Sequence, residues 1–155
     1  AHKNEHSIEV QLPFLQYLYG DKFTFVPICF LMQDLQSAKD VGNALTKALE
    51  GQNAVVIASS DFSHYEPHEK VKQKDTAAIK AIEELEENQF YQTIKNQNIS
   101  ACGYGPIVAL ITYAKNNKIK TAHLLSHKTS GDIIGDKTSV VGYAALAIKK
   151  PNLQN

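Results

Sequence analysis

At 155 residues the chain fits one domain with room for a sizeable core. Sixteen lysines balance sixteen acidic residues and there is no arginine, which argues against a nucleic-acid-binding surface and removes the usual bidentate reader of phosphates. No apolar run reaches the length of a membrane span, and two cysteines without a CxxC spacing exclude a disulfide scaffold, so the expectation is a reduced, cytoplasmic protein.

Residues 5–19 carry Ile8, Leu12, Leu15 and Tyr19 at helical spacing. Pro13 falls inside that pattern and predicts a kink or division near Glu9, and Gly20 predicts the stop. Residues 23–30 read as a strand with Pro27 as an irregularity, and residues 35–49 as a helix with Leu35, Val41, Leu45 and Leu49 facing inward. The run Ala54 to Ala58 has the β-branching and low polarity of a strand buried on both faces. Strand, helix and strand in this order predict a parallel βαβ unit.

A long helix is expected from about Glu66 to Glu86, with Val71, Ala78, Ile79, Ile82 and Leu85 on its apolar face. A shorter helix follows at 88–96, and another from Pro106 to Lys115. Lys120 to Leu125 and Ser139 to Ile148 read as strands, separated by a turn-rich loop at 128–138. Residues 1–149 form one domain in this reading and 150–155 a tail. The sum is an α/β fold with a mixed, largely parallel sheet flanked by helices.

Chemistry is expected where Ser59-Ser60-Asp61-Phe62-Ser63-His64 leaves the 54–58 strand, since ligands in such sheets bind beyond the strands' carboxyl ends. His64 is the candidate acid-base group, because imidazole titrates near neutral pH, and Asp61 its orienting partner. Ser60 beside them suggests a hydrolase, but it lacks the flanking glycines of a nucleophile elbow. Cys102 precedes Gly103 at the approach to a helix N-terminus, a setting that favours thiolate, the form that binds metal. An inert buried cysteine is the alternative at that position, and Cys29 is assigned to the core. His6, with Glu5 and Glu9 around it, can reach a metal or a substrate, or simply form a polar helix start. His2, His68, His123 and His127 have no partner pattern and are placed at the surface or in strands.

Three of these segments together resemble the Memo-like proteins: Glu5-His6-Ser7-Ile8-Glu9-Val10-Gln11-Leu12-Pro13, Ser59 to His64, and Cys102-Gly103-Tyr104-Gly105-Pro106-Ile107. Ser130-Gly131-Asp132 and Val140 to Ala145 fit as well. The resemblance implies a fold similar to the class III extradiol dioxygenases, with His64 at the acid-base position and Cys102 where those enzymes carry a carboxylate ligand. It implies iron or copper as cofactor, and substrate-binding roles for His6, Ser60 and Gly103. A thiolate site suits copper(I) or redox chemistry better than a copy of ring-opening catalysis.

The family's two metal-ligand histidines come from motifs before the Glu5-His6 segment, and nothing in this chain matches them. The expectation is therefore the C-terminal part of a longer protein. It would associate with the missing segment or with itself, and would act on a small molecule or peptide rather than on nucleic acid or a membrane. The rival function is a peptide- or ligand-binding module without turnover, as implied by the signalling role linked to the family in animals. A metal-independent hydrolase is the third.

Overall fold

The computed structural model describes residues 2–149, so the tail expected at 150–155 lies outside the described residues. In chain order, a short 3-10 turn at Glu9–Gln11 leads into α1 (Leu12–Tyr19) and α2 (Leu35–Ala48). Then come β1 (His64–Glu66), α3 (His68–Glu83), α4 (Glu87–Asn96), α5 (Tyr104–Asn116), β2 (Ala122–Thr129), α6 (Gly131–Ile134) and β3 (Val140–Ile148).

The helices form where apolar spacing demands them. Val71, Ala78, Ile79 and Ile82 of α3, with Leu85 just beyond it, are buried as their stripe predicts. They pack with Phe90 and Ile94 of α4 and with Ile107, Val108, Ile111 and Ala114 of α5 in one core. Asp34 caps α2 by accepting the Ser37 amide at 2.9 Å. The surface that α2 buries is carried by Ala38 and Gly42, while Leu35, Val41, Leu45 and Leu49 are half-buried. Gly42 lets α2 close on α5, since a Cβ there would stand 2.6 Å from the Ala109 carbonyl oxygen. Pro13 does divide the N-terminal pattern: the 3-10 turn ends and α1 begins with the proline in its first turn, where a missing N–H costs nothing.

The sheet overturns the largely parallel arrangement. It has three strands in the order β1-β3-β2, and every pairing is antiparallel. β2 and β3 pair from Ala122↔Ile148 to Thr129↔Gly142, and β1 joins through His64↔Val141. The two segments expected as parallel strands, 23–30 and 54–58, are irregular. Among the described residues, 23–33 and 53–61 make no backbone-to-backbone hydrogen bond. A β-branched apolar run states a preference for a pleated, half-buried surface; it does not supply the partner strand. Val26, Leu31 and Val55 therefore stand 84%, 97% and 86% exposed. The dioxygenase-like sheet implied by the family resemblance falls with this pairing. β2 and β3 are near in sequence, with α6 inside the connection between them, whereas β1 reaches β3 across the three helices α3, α4 and α5.

Candidate metal centre

Two loops meet at the edge of the core, 59–64 and 100–103. The first is fixed to β3: Phe62 is buried and its N–H donates to the Gly142 carbonyl at 2.9 Å, while the Ser63 carbonyl accepts from Gly142 N–H at 2.8 Å. The second is stapled to the first. Ser60 Oγ accepts from Gly103 N–H at 2.8 Å and donates to the Asp61 carbonyl at 2.6 Å, and the His64 amide donates to Ser100 Oγ at 2.8 Å. Gly103 is required for this approach, because a Cβ there would overlap the Ser59 carbonyl oxygen.

The staple brings together a carboxylate oxygen of Asp61, an imidazole nitrogen of His64 and the sulfur of Cys102, all within 4.8 Å of one another. The Asp61 amide donates to Cys102 Sγ at 3.2 Å. His64 Nδ1 lies 2.8 Å from the Ser100 carbonyl oxygen. A carbonyl only accepts, so Nδ1 carries the proton and the lone pair of the neutral ring sits on Nε2. That nitrogen faces Asp61 Oδ2 at 3.6 Å, longer than a hydrogen bond. Ser100, not Asp61, is thus the hydrogen-bonding partner that orients the ring.

These residues fit a metal ion. Bonds of about 2.0–2.3 Å to nitrogen, oxygen and sulfur place the donors of one ion about 3–4 Å apart, a small inward movement from the observed positions. The set is one soft sulfur, one imidazole and one carboxylate, with coordination positions left open for other ligands.

The remaining expectations divide. Ser60 and Gly103 sit at the centre as parts of the staple. His6 is exposed ahead of the 3-10 turn and is not one of the three converging groups. Its neighbour Glu5 accepts from the Ser7 amide and from Cys29 Sγ at 3.8 Å, so Cys29 is half-buried against a carboxylate rather than in the core. The bonds from Ser7, ahead of the contact with Cys29, hold the Glu5 carboxyl below its usual range. The N-terminal part reaches the centre through other residues. Gln11 Nε2 donates to Ser59 Oγ at 3.0 Å, and Gln33 bridges the Cys102 carbonyl and the Gly105 amide at 2.9 and 2.8 Å.

Sequence reasoning missed Ser100, Gln33, Tyr143 and a buried pair, Asp75 with His127. Tyr143 lies on β3, where partial burial first, then the nearby Asp61 carboxylate and the Tyr65 side chain, pushes its phenol upward. Asp75 had a legible signal, an acid on the apolar stripe of α3 between Val71 and Ala78. His68, expected at the surface or in a strand, opens α3 and is buried with Nδ1 2.9 Å from Thr129 Oγ1.

Comparison with known proteins agrees with the motifs. The family model for Memo-like protein matches residues 1–147. A MEMO1 family protein of Methanopyrus kandleri is 49% identical over 152 residues, 97% of this chain and 54% of the relative. Its counterpart in Methanocaldococcus jannaschii is 48% identical over 154 residues, 96% of this chain and 54% of the relative. That of Thermoplasma acidophilum is 46% identical over 146 residues, 94% and 53% respectively. The chain spans about half the length of the curated relatives it matches. With 147 residues under one family model and motif segments that converge in space, the chain belongs to the Memo-like protein family.

Proposed function

We propose that this chain supplies a thiolate, imidazole and carboxylate site for a redox-active metal ion, iron or copper, used to oxidise a small molecule in a reduced, cytoplasmic setting. The observation that carries the reading is the convergence of Cys102, His64 and Asp61. Cys102 Sγ would anchor the ion, and the Asp61 amide, donating to it at 3.2 Å, fixes where the sulfur sits. His64 presents one free nitrogen to the centre, since Nδ1 is spent on the Ser100 carbonyl. Acid-base work and ligation therefore compete for a single lone pair, and the metal-bound protein uses it for ligation. Asp61 supplies the hard oxygen. A bound redox metal would supply one-electron chemistry, with sulfur tilting the site toward copper(I). The complete reaction and its substrate belong to the longer proteins of the family as much as to this chain.

The test is titration of the metal-free protein with copper(I) against a competing chelator, and with cobalt(II) as an optical probe. The expected result is one equivalent bound with a sulfur-to-cobalt absorption band. Cys102→Ser abolishes the band and weakens binding by about tenfold or more. Full occupancy in Cys102→Ser would remove the assignment.

A further inference from the structure

Asp75 is completely buried in the middle of α3, yet it belongs to none of the groups described at the metal centre. An acid in an apolar stripe is costly unless partnered, and the partners recorded for Asp75 come from outside its own helix. Its Oδ1 accepts from the Ser63 amide at 3.1 Å and from Ser63 Oγ at 2.6 Å. Its Oδ2 lies 3.2 Å from His127 Nε2 on β2, so one proton sits between carboxylate and imidazole. The His127 side chain is only 9% exposed, and Lys72 of α3 donates to its backbone carbonyl at 3.2 Å.

The position of Ser63 gives this arrangement its meaning. Ser63 lies between Asp61 and His64, the two donors carried by one loop. Its amide is taken by Asp75 and its carbonyl by the Gly142 amide, while the Phe62 amide is taken by the Gly142 carbonyl. Residues 62–63 are thus held from α3 on one side and from β3 on the other. Asp61 and His64 project from the two ends of that clamped pair. His127 occupies the second carboxylate oxygen and so keeps the first aimed at Ser63.

We infer that Asp75 and His127 are positioning residues for the metal centre, acting through Ser63 on the aim of Asp61 and His64 without touching the ion. The metal-affinity half of this inference rests on the metal-binding reading above; the loop-holding half does not. Groups that orient ligands from behind typically change metal affinity by about 10–100-fold when removed.

The experiment uses the whole chain and two readouts. In the metal-free protein, amide hydrogen exchange at Ser63 and His64 is compared with that at Val108 and Ile111 in the core. In the metal-bound protein, cobalt(II) affinity is read from the sulfur-to-cobalt band. Asp75→Asn is expected to speed exchange at Ser63 and His64 while leaving Val108 and Ile111 unchanged, and to lower cobalt affinity by about 10–100-fold. His127→Gln, which keeps an N–H donor for Oδ2, is expected to stay near wild type, whereas His127→Ala follows Asp75→Asn. If Asp75→Asn does not fold, Ser63→Ala, which removes one of the two bonds to Oδ1, decides by the same readouts. A folded Asp75→Asn with wild-type loop exchange and wild-type cobalt affinity would overturn the inference. Loss of loop protection in a protein whose wild type never shows the cobalt band would sink the metal reading and leave the positioning role standing.

Discussion

Gly142 shows how tightly single residues are constrained around the centre. A Cβ there would overlap the Asp75 carboxylate, whose two oxygens are already committed to Ser63 and His127. The carboxylate has nowhere to swing. Gly142→Ala is expected to destabilise the protein by about 1–3 kcal/mol in urea denaturation, the range for overpacking a filled site. Much of the centre is legible in sequence because its residues announce themselves locally. Asp61 and His64 lie three apart at the end of an apolar run, and Cys102 sits beside a glycine at the approach to a helix N-terminus. The Asp75–His127 pair is not legible in that way. Its two members are 52 residues apart, and what joins them is the packing of α3 against β2, which no local pattern in either segment announces.

Among the elements, α2, α4 and α5 are tied at one point by charge. Glu87 opens α4 and meets Lys115 of α5 at 2.7 Å and Lys39 of α2 at 3.3 Å. Burial of Glu87 opposes its ionisation most strongly, but the hydrogen bond from Lys115, its own backbone, and the charges and bond of Lys115 and Lys39 together outweigh it. Its carboxyl is therefore below the ordinary 4.5, so the stability it contributes is present above that value and lost as pH falls through the folded one. The Lys115 ammonium is raised, chiefly by the same hydrogen bond, so its contribution is present below the ordinary 10.5 and lost as pH rises through the folded value. Glu87→Gln is expected to cost about 1 kcal/mol at neutral pH and to flatten the acid limb of stability against pH, measured by urea denaturation across the acid range. The helix ends carry a second prediction. Leu85, Asn98 and Lys118 follow α3, α4 and α5 with φ of 53°, 48° and 61°, a left-handed geometry reached here without glycine. Lys118 is exposed, so Lys118→Gly is expected to raise stability by several tenths of a kcal/mol in thermal melts. Leu85 is 2% exposed, and the same change there is expected to cost about 2–4 kcal/mol through lost packing. Helices were legible because their period is written within each segment. The strands near 120–125 and 139–148 were legible as segments too, as β2 and β3. Which segments pair was not, and 23–30 and 54–58 found no partner, because pairing depends on residues elsewhere.

At the scale of the molecule, burial is uneven. The core draws on α3, α4, α5 and the start of β2, with Ala38 and Phe62 at its margin. An open groove of about 1160 Å³ separates residues 54–58 from β3, lined by Val56, Ala58, Leu110, Ile119 and Leu146. Apolar surface of this kind, in a chain half the length of its relatives, is proposed as the contact for the rest of such a polypeptide. Mixing this chain with the unmatched part of the Methanopyrus kandleri relative is expected to give a one-to-one complex in sedimentation, weakened by Val56→Asp; an unchanged monomer would count against it. The evenness of charge has no bearing on this surface, which is set by the unladdered segments.

No residue from His2 to Ser37 is buried, and the first to be so is Ala38. That stretch should therefore open to proteases long before the core does. With no arginine in the chain, trypsin cuts only after lysine, and Lys3 and Lys22 are both exposed. Brief digestion should release residues 4–22, taking Gln11 and its bond to Ser59 but sparing Gln33. The trimmed protein would keep Asp61, His64 and Cys102 on the loops that α3, α5 and β3 hold, and with them its colour on adding cobalt.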